Sequence, residues 1–267
     1  MPQIHPTAIV SPKAQIADDV TIAPYTIIGD RVTIGAGGEI GSSVVLDGKV
    51  TIGKNCKIFS SAVIGNIPQD LKYKGEKTEV VIGDNNIIRE FATIHRGTSA
   101  FGKTIIGDNN LIMAYVHIAH DCQIMNHTIL ANAVTLAGHI VVEDYSVVGG
   151  LTPVHQFCRI GAHSIVGGLS RINKDVVPYS KAAGIPTRIW GLNIVGLTRR
   201  SFPKEVIVTI RNAFRLLFRS NLNTTQAIAR IQTEVELIPE VKYLLDFITN
   251  SSRGILKGPR NKYDECE

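Results

Sequence analysis

Residues 117–122 read HIAHDC, which places His117, His120, Asp121 and Cys122 inside one short apolar stretch. Four kinds of chemistry fit such a set. It can be a metal site built on imidazoles, a histidine base oriented by a carboxylate, a cysteine nucleophile, or a plain strand carrying histidines on its outer face. The chain has eight histidines (His5, His95, His117, His120, His127, His139, His155 and His163), and six of them fall between positions 95 and 155. That concentration argues against scatter, and which side of the backbone they occupy decides what they can do.

The elements that position them follow from a period of six. Every sixth residue from Ile4 to Ile64 is Ile, Val or Leu; the count resumes at Ile82, Ile88 and Ile94 and runs unbroken from Ile106 to Ile172. Two positions before these stand smaller side chains, among them Ala8, Ala14, Cys56, Ala62, Val116 and Cys122. A spacing of two on one face is strand geometry, and glycine follows the large aliphatic at positions such as 29, 35, 41, 53 and 107, where the pattern predicts the chain to turn. Short strands and turns repeated every six residues predict a parallel β-helix, whose coils bury their faces only by stacking. Ile118 and Cys122 then point inward, while no histidine occupies either inward position.

Two polar stretches, 66–79 and 96–103, interrupt the period and read as loops thrown out from a rigid scaffold, where binding residues tend to sit. Beyond Pro178 the period fails. Helical patterns follow at 202–220, with Ser201 as N-cap and Pro203 in the first turn, at 225–237 and at 240–250. These helices are expected to cap the open end of the stack, with 251–267 frayed.

Composition removes several classes. Four cysteines in 267 residues with no CxxC pair suggest neither a disulfide framework nor a zinc knuckle. There is no secretory leader pattern and no long apolar run, so a soluble cytoplasmic protein without stable membrane insertion is expected. The net charge of +5 is mild but uneven: from Gly191 onward 12 Lys/Arg stand against 8 Asp/Glu, which favours an acidic or phosphorylated partner near the C-terminal region. No basic run is interleaved with aromatics, so nucleic acid is not an expected partner.

Tandem hexads of this kind resemble the hexapeptide-repeat acyltransferases. That resemblance implies a mainly β fold: a left-handed parallel β-helix of three flat faces, hence three hexads per coil, over 1–190, followed by a C-terminal α-helical region over 191–267. With that coil length His120, Gly138 and Gln156 form one column and Asp121, His139 and Phe157 the next, about 4.8 Å apart per coil. A histidine beside a glycine that leaves its backbone N–H bare pairs a general base with an oxyanion donor. Cys122 and Cys158 fall two coils apart, roughly 9 to 10 Å, too far for a disulfide, and an inward thiol is a poor nucleophile, so transfer without an acyl-enzyme is expected.

More specifically, IPQDLKYKGE (67–76), TIHRGT (93–98), HIAHDC, TLAGH (135–139), VHQF (154–157), GLNIVGLTRR (191–200) and the helical tail together resemble the acyl-ACP:UDP-N-acetylglucosamine O-acyltransferases, first enzymes of lipid A synthesis. The resemblance spans nearly the whole chain. It implies transfer of an (R)-3-hydroxyacyl chain from acyl carrier protein to the sugar 3-hydroxyl, with His120 as base, Asp121 orienting it and Gly138 supplying the oxyanion N–H. Asp70, Lys72, His95, His117, His139, His155 and Gln156 are then expected to line the cleft for nucleotide sugar and acyl-phosphopantetheine. Asn193, Arg199 and Arg200 are expected to hold the UDP portion, and Gly168 to set acyl-chain length. The family often carries an acidic residue where this chain has Val195, so one nucleotide contact is expected to be lost or replaced.

The resemblance further implies a homotrimer with clefts between subunits, no metal and no cofactor beyond the carrier's phosphopantetheine, and carrier docking through Arg199, Arg211, Arg215 or Arg219. Two rivals remain: a hexapeptide-repeat carbonic anhydrase with zinc on His95, His117 and His120, and a noncatalytic scaffold.

Overall fold

A computed structural model describes residues 1–259. Among them, two- to four-residue strands from Gln3–Ile4 to Ile165–Val166 climb in succession around three sheets. The architecture is a left-handed parallel β-helix. The first sheet begins with Gln3–Ile4, the second with Ile9–Val10 and the third with Gln15–Ile16, and each strand pairs in parallel with the strand one coil on. Where no loop intervenes one coil takes three hexads, so that Ile118 pairs with Leu136 and Ile124 with Val142, except that the last coil is two residues shorter, Ile160 pairing with Val176 and Val166 with Ala182. Loop insertion lengthens the coil without shifting a face: Ile64 pairs with Ile94, and Ile94 with Ile118.

The core is the aliphatic column read from the period. Ile28, Ile34, Ile52, Ile64, Ile94, Ile118 and Leu136 are almost completely buried, and so are the smaller Val44, Cys56, Ala62 and Cys122. At the first coil the column opens to solvent, with Ile4 exposed and Val10 and Ile16 only partly buried. Several small inward positions are polar and bonded, as the interior demands. Asn86, for example, donates its side-chain amide to the Gly83 and Gly107 carbonyls and accepts the Asn110 N–H on its side-chain oxygen.

The glycines after the large aliphatics stand where the chain leaves a strand, as the pattern predicts, but apart from Gly65 they do not take the left-handed backbone of the turn. Positive φ falls two residues later and mostly on non-glycine residues, including Asn55, Asn85, Asp121, His139 and Phe157. Glycine is needed instead because neighbouring coils touch there: a Cβ on Gly53 would lie 2.5 Å from the backbone of Gly83, and one on Gly161 2.5 Å from Pro178.

Past the prism the chain departs from expectation in four respects. The period ends in a β-hairpin, Ser180–Ala183 paired antiparallel with Arg188–Leu192, which extends the first sheet and spans the 190/191 division. Four helices follow rather than three: α1 (Ile194–Arg199), α2 (Lys204–Phe218), α3 (Thr224–Glu234) and α4 (Pro239–Thr249). The additional one, α1, is too short to show a periodic face. Ser201 does not cap α2. It takes positive φ and donates its N–H to Thr198, closing α1, and Pro203 stands at the start of α2.

Finally, the segment after Asn250 is held rather than frayed as far as it is described. Ser251 and the Arg159 N–H both bond the buried Asp175 carboxylate, and Ile255 and Leu256 are buried; 260–267 lie outside the described residues. Helix α4 is tied to the prism by the Tyr243 hydroxyl on Glu143 and by Arg159, whose guanidinium lies 4.0 Å above the Phe247 ring. Among the described residues no helix is long and apolar enough to cross a membrane.

The contact between coils gives a direct test. Gly53→Val must push two backbones apart and is expected to lower stability by about 1–3 kcal/mol and the melting temperature by several degrees. Lys54→Val, exposed one residue away, should move it little. Equal melting temperatures would show that the coils do not approach as described.

Candidate active site

The three edges of the prism are not equivalent. Both long loops, 67–78 and 96–102, leave the edge that joins the second sheet to the third, and residues 119–121, 137–139 and 155–157 turn that same edge. Sequence order alone therefore brings both loops to the turn that carries His120.

His120 Nδ1 lies 2.8 Å from Asp121 Oδ2. An ionised carboxylate only accepts, so Nδ1 carries the proton and Nε2 keeps its lone pair. Asp121 can hold the ring because it is itself held. Its Oδ1 accepts the Thr98 N–H at 2.9 Å, its Oδ2 the Thr98 hydroxyl at 2.6 Å, and its own N–H donates to Thr104 Oγ1. The side chain is fully buried and the backbone sits at φ 60°, a conformation that aspartate tolerates better than most residues.

Above His120 stands Gly138, where a Cβ would meet the imidazole at 2.5 Å. The ring thus rests on bare backbone. The Gly138 N–H makes no hydrogen bond among the described residues. His139 meets His120 edge-on, with ring centroids 5.1 Å apart, and stacks on Phe157 at 4.6 Å. Asp70 Oδ2, from the longer loop, lies 4.0 Å from His120 Nε2, and the other Asp70 oxygen accepts the Lys72 N–H, which fixes the turn. Arg96 links the loops by donating to the Tyr73 hydroxyl.

Around this centre His117 shares a 2.7 Å hydrogen bond with Thr93, and His95 stands edge-on to it at 4.9 Å. Burial holds His95 down to about 4, helped by the neighbouring charges of His117 and His120, and it lowers His117 and His139 as well. Buried imidazoles are easier to keep neutral than charged. Lys72, His155 and Gln156 are exposed at the same edge. Burial also raises the inward thiols, Cys122 to about 12 and Cys158 to about 11, which removes the nucleophilic reading of Cys122.

The remaining predicted residues lie elsewhere on the chain. Asn193 is nearly buried and already engaged: its side chain caps α1 through Gly196 N–H and donates to the His163 carbonyl. Arg200 lies over the Tyr145 ring at 4.9 Å, on the edge joining the third sheet to the first, with Arg199 beside it in sequence and Val195 exposed on α1. Gly168 belongs to the edge joining the first sheet to the second, where a Cβ would lie 3.2 Å from the Gly150 carbonyl. Sequence reasoning missed Thr98 and Thr104, which hold Asp121, and Tyr145, which supports Arg200. Thr98 does fall inside the TIHRGT stretch, and the recurrence of an outward aromatic ring once per coil, at 127, 145 and 163, was visible.

The zinc set of the rival reading does not converge. Among the described residues the donor atoms that gather within 4.8 Å belong to His120, Asp121 and His139, not to His95, His117 and His120.

Residues 175–256 match the second domain of the family described as UDP N-acetylglucosamine O-acyltransferase, and 103–138 match the bacterial transferase hexapeptide repeats. A protein of Janthinobacterium named acyl-[acyl-carrier-protein]–UDP-N-acetylglucosamine O-acyltransferase is 50% identical, covering 96% of this chain and all of its own. One of the same name from Thermodesulfovibrio yellowstonii is 51% identical at the same coverage. The solved UDP-N-acetylglucosamine acyltransferases of Bacteroides fragilis and Francisella novicida superpose with TM-scores of 0.93 and 0.94. The first is 45% identical and covers 95% of this chain and 100% of its own, the second 40% identical with 99% of each chain covered.

The lowered histidines predict how stability follows pH. His95 is buried neutral, so the unfolded chain binds its proton first as pH falls below about 6.5, and native stability is lost progressively down to about 4. His95→Gln should flatten the dependence of melting temperature on pH across that window. An unchanged slope would show that His95 is not held neutral by the fold.

Proposed function

The chain belongs to the acyl-[acyl-carrier-protein]–UDP-N-acetylglucosamine O-acyltransferase family and is an O-acyltransferase, and we propose that it works by direct general-base catalysis at His120. The observation that carries this reading is the His120–Asp121 pair lying against Gly138. His120 Nε2 takes the proton of the sugar 3-hydroxyl as that oxygen attacks the thioester carbonyl of an (R)-3-hydroxyacyl carrier. The Gly138 N–H donates to the developing oxyanion. Collapse breaks the C–S bond, forms the ester and releases the pantetheine thiolate, which takes the proton from the imidazolium. Asp121 keeps the proton-bearing nitrogen turned away and stabilises the charged ring. His95, His117 and His139, neutral at ordinary pH, offer hydrogen bonds in the cleft without competing for the proton. Asp70 and Lys72 face the acceptor from the loop, and His155 and Gln156 continue the cleft along the edge. The reaction so written needs no metal and no cofactor besides the carrier's own arm.

Asn193, Arg200 and Gly168 lie at prism edges other than that of His120, and Arg199 precedes Arg200 at the end of α1. One substrate contacts both sets only if the cleft lies between chains, which supports a homotrimer with Arg199 and Arg200 of one subunit holding the UDP phosphates at the next subunit's His120. An apolar groove on α2 floored by Leu192, Phe214 and Phe218 and rimmed by Arg211, Arg215 and Arg219 fits the acidic carrier. The reading places the protein in the cytoplasm as the first step of lipid A synthesis. Unpaired thiols at Cys56, Cys122 and Cys158 agree with a reducing compartment.

The experiment supplies UDP-N-acetylglucosamine and a panel of (R)-3-hydroxyacyl carriers and weighs the products by mass spectrometry. The native protein is expected to yield a singly acylated nucleotide sugar. His120→Ala should lose turnover by roughly two to four orders of magnitude with an unchanged circular dichroism spectrum. Full turnover by that variant would remove His120 from the mechanism.

A further inference from the structure

A second cavity, of about 430 Å³, lies at the end of the prism beyond the catalytic edge, and four cations line it: Arg171, Lys174, Arg188 and Lys257. No carboxylate is among its described lining residues. The nearest acid in sequence, Asp175, is buried and engaged by Ser251 and the Arg159 N–H. The walls are fixed to one another. Thr187 of the hairpin donates to the Arg171 carbonyl, the Ile189 N–H to the Lys257 carbonyl, and Lys257 Nζ to Thr224. Like charges held together without a counter-charge among the described lining residues repel, and an anion relieves that repulsion.

Position says which anion. The His155 N–H bonds the Ile172 carbonyl, Ile172 bridges to Val154 and Val176 to Ile160, so the shorter turn 173–175, which carries Lys174, crosses the catalytic edge one coil beyond 155–159. Three coil spacings put the backbone of that turn roughly 14 Å from that of His120. The arm between the phosphate and the sulfur of phosphopantetheine has a backbone as long as a little over four residues of extended chain, roughly 15 Å. Resting on the general-base reading above, we infer that this cavity binds the phosphate of the acyl carrier's phosphopantetheine arm. Its cations would fix the arm so that the thioester reaches His120 while the carrier itself sits over the helices.

The test compares three donors with the same acyl chain: acyl-pantetheine, acyl-phosphopantetheine and acyl carrier protein. The native enzyme should show a kcat/KM roughly tenfold higher for acyl-phosphopantetheine than for acyl-pantetheine, the size expected of charge-assisted hydrogen bonds to a phosphate. The variant Arg171→Gln/Lys174→Gln/Arg188→Gln should lose that preference, mainly through KM, and keep its rate on acyl-pantetheine, which also reports that it folds. Equal use of both small donors by the native enzyme, or an equal loss on both in the variant, would overturn the assignment. So would a loss confined to acyl carrier protein, since the cations would then be meeting the carrier's surface rather than its phosphate. Transfer from none of the donors would instead contradict the acyltransfer reading on which the assignment rests.

Discussion

Everything in this molecule depends on one ladder: each coil bonds the next at a register of three hexads, so that residues far apart in sequence stand one strand spacing apart in space. The ladder fixes faces as well as distances. A slip of one residue would turn every inward aliphatic outward, and the cost of exposing that column holds the register. Loops enter only at an edge, and the strands on either side resume in phase, as Ile64 with Ile94 does across one of them.

The active edge uses that constraint twice. Stacking sets Gly138 against the His120 ring and His139 against both His120 and Phe157, without any residue that must search for its neighbour. The left-handed backbone at Asp121 then turns its carboxylate into the buried space where Thr98 meets it, while its own N–H donates to Thr104. A carboxylate with its oxygens occupied has little freedom left, and the imidazole bonded to it inherits that order. Preorganisation of this kind suits the proton transfer proposed for His120, because dipoles already in place need not rearrange.

The inward column, the two loops and the stacking of His120, Gly138 and Gln156 were legible in the sequence because a period of six writes faces directly into residue types. The terminal hairpin was not: Ser180–Ala183 and Arg188–Leu192 are single strands with no repeat to announce them. Asp175 and Ser251, 76 residues apart, bond across a contact that no local pattern encodes, and this is why the segment after α4 read as loose. The glycines were visible as punctuation at the turns, but the crowding between coils that requires them involves residues a full coil away and leaves no local mark. Thr98 stood inside a recognised stretch, but its hydroxyl gains meaning only when the loop folds back onto Asp121.

The division of the proposed cleft between chains follows from the edges, because His120 and Arg200 sit on different edges of one prism. Co-assembly of His120→Ala with Arg200→Ala, each strongly impaired alone, measures it most directly. In a randomly mixed trimer a cleft taking one residue from each of two subunits is intact in about a quarter of cases, so the mixture should regain about a quarter of native activity. A mixture no more active than the two variants separately would contradict a site shared between subunits.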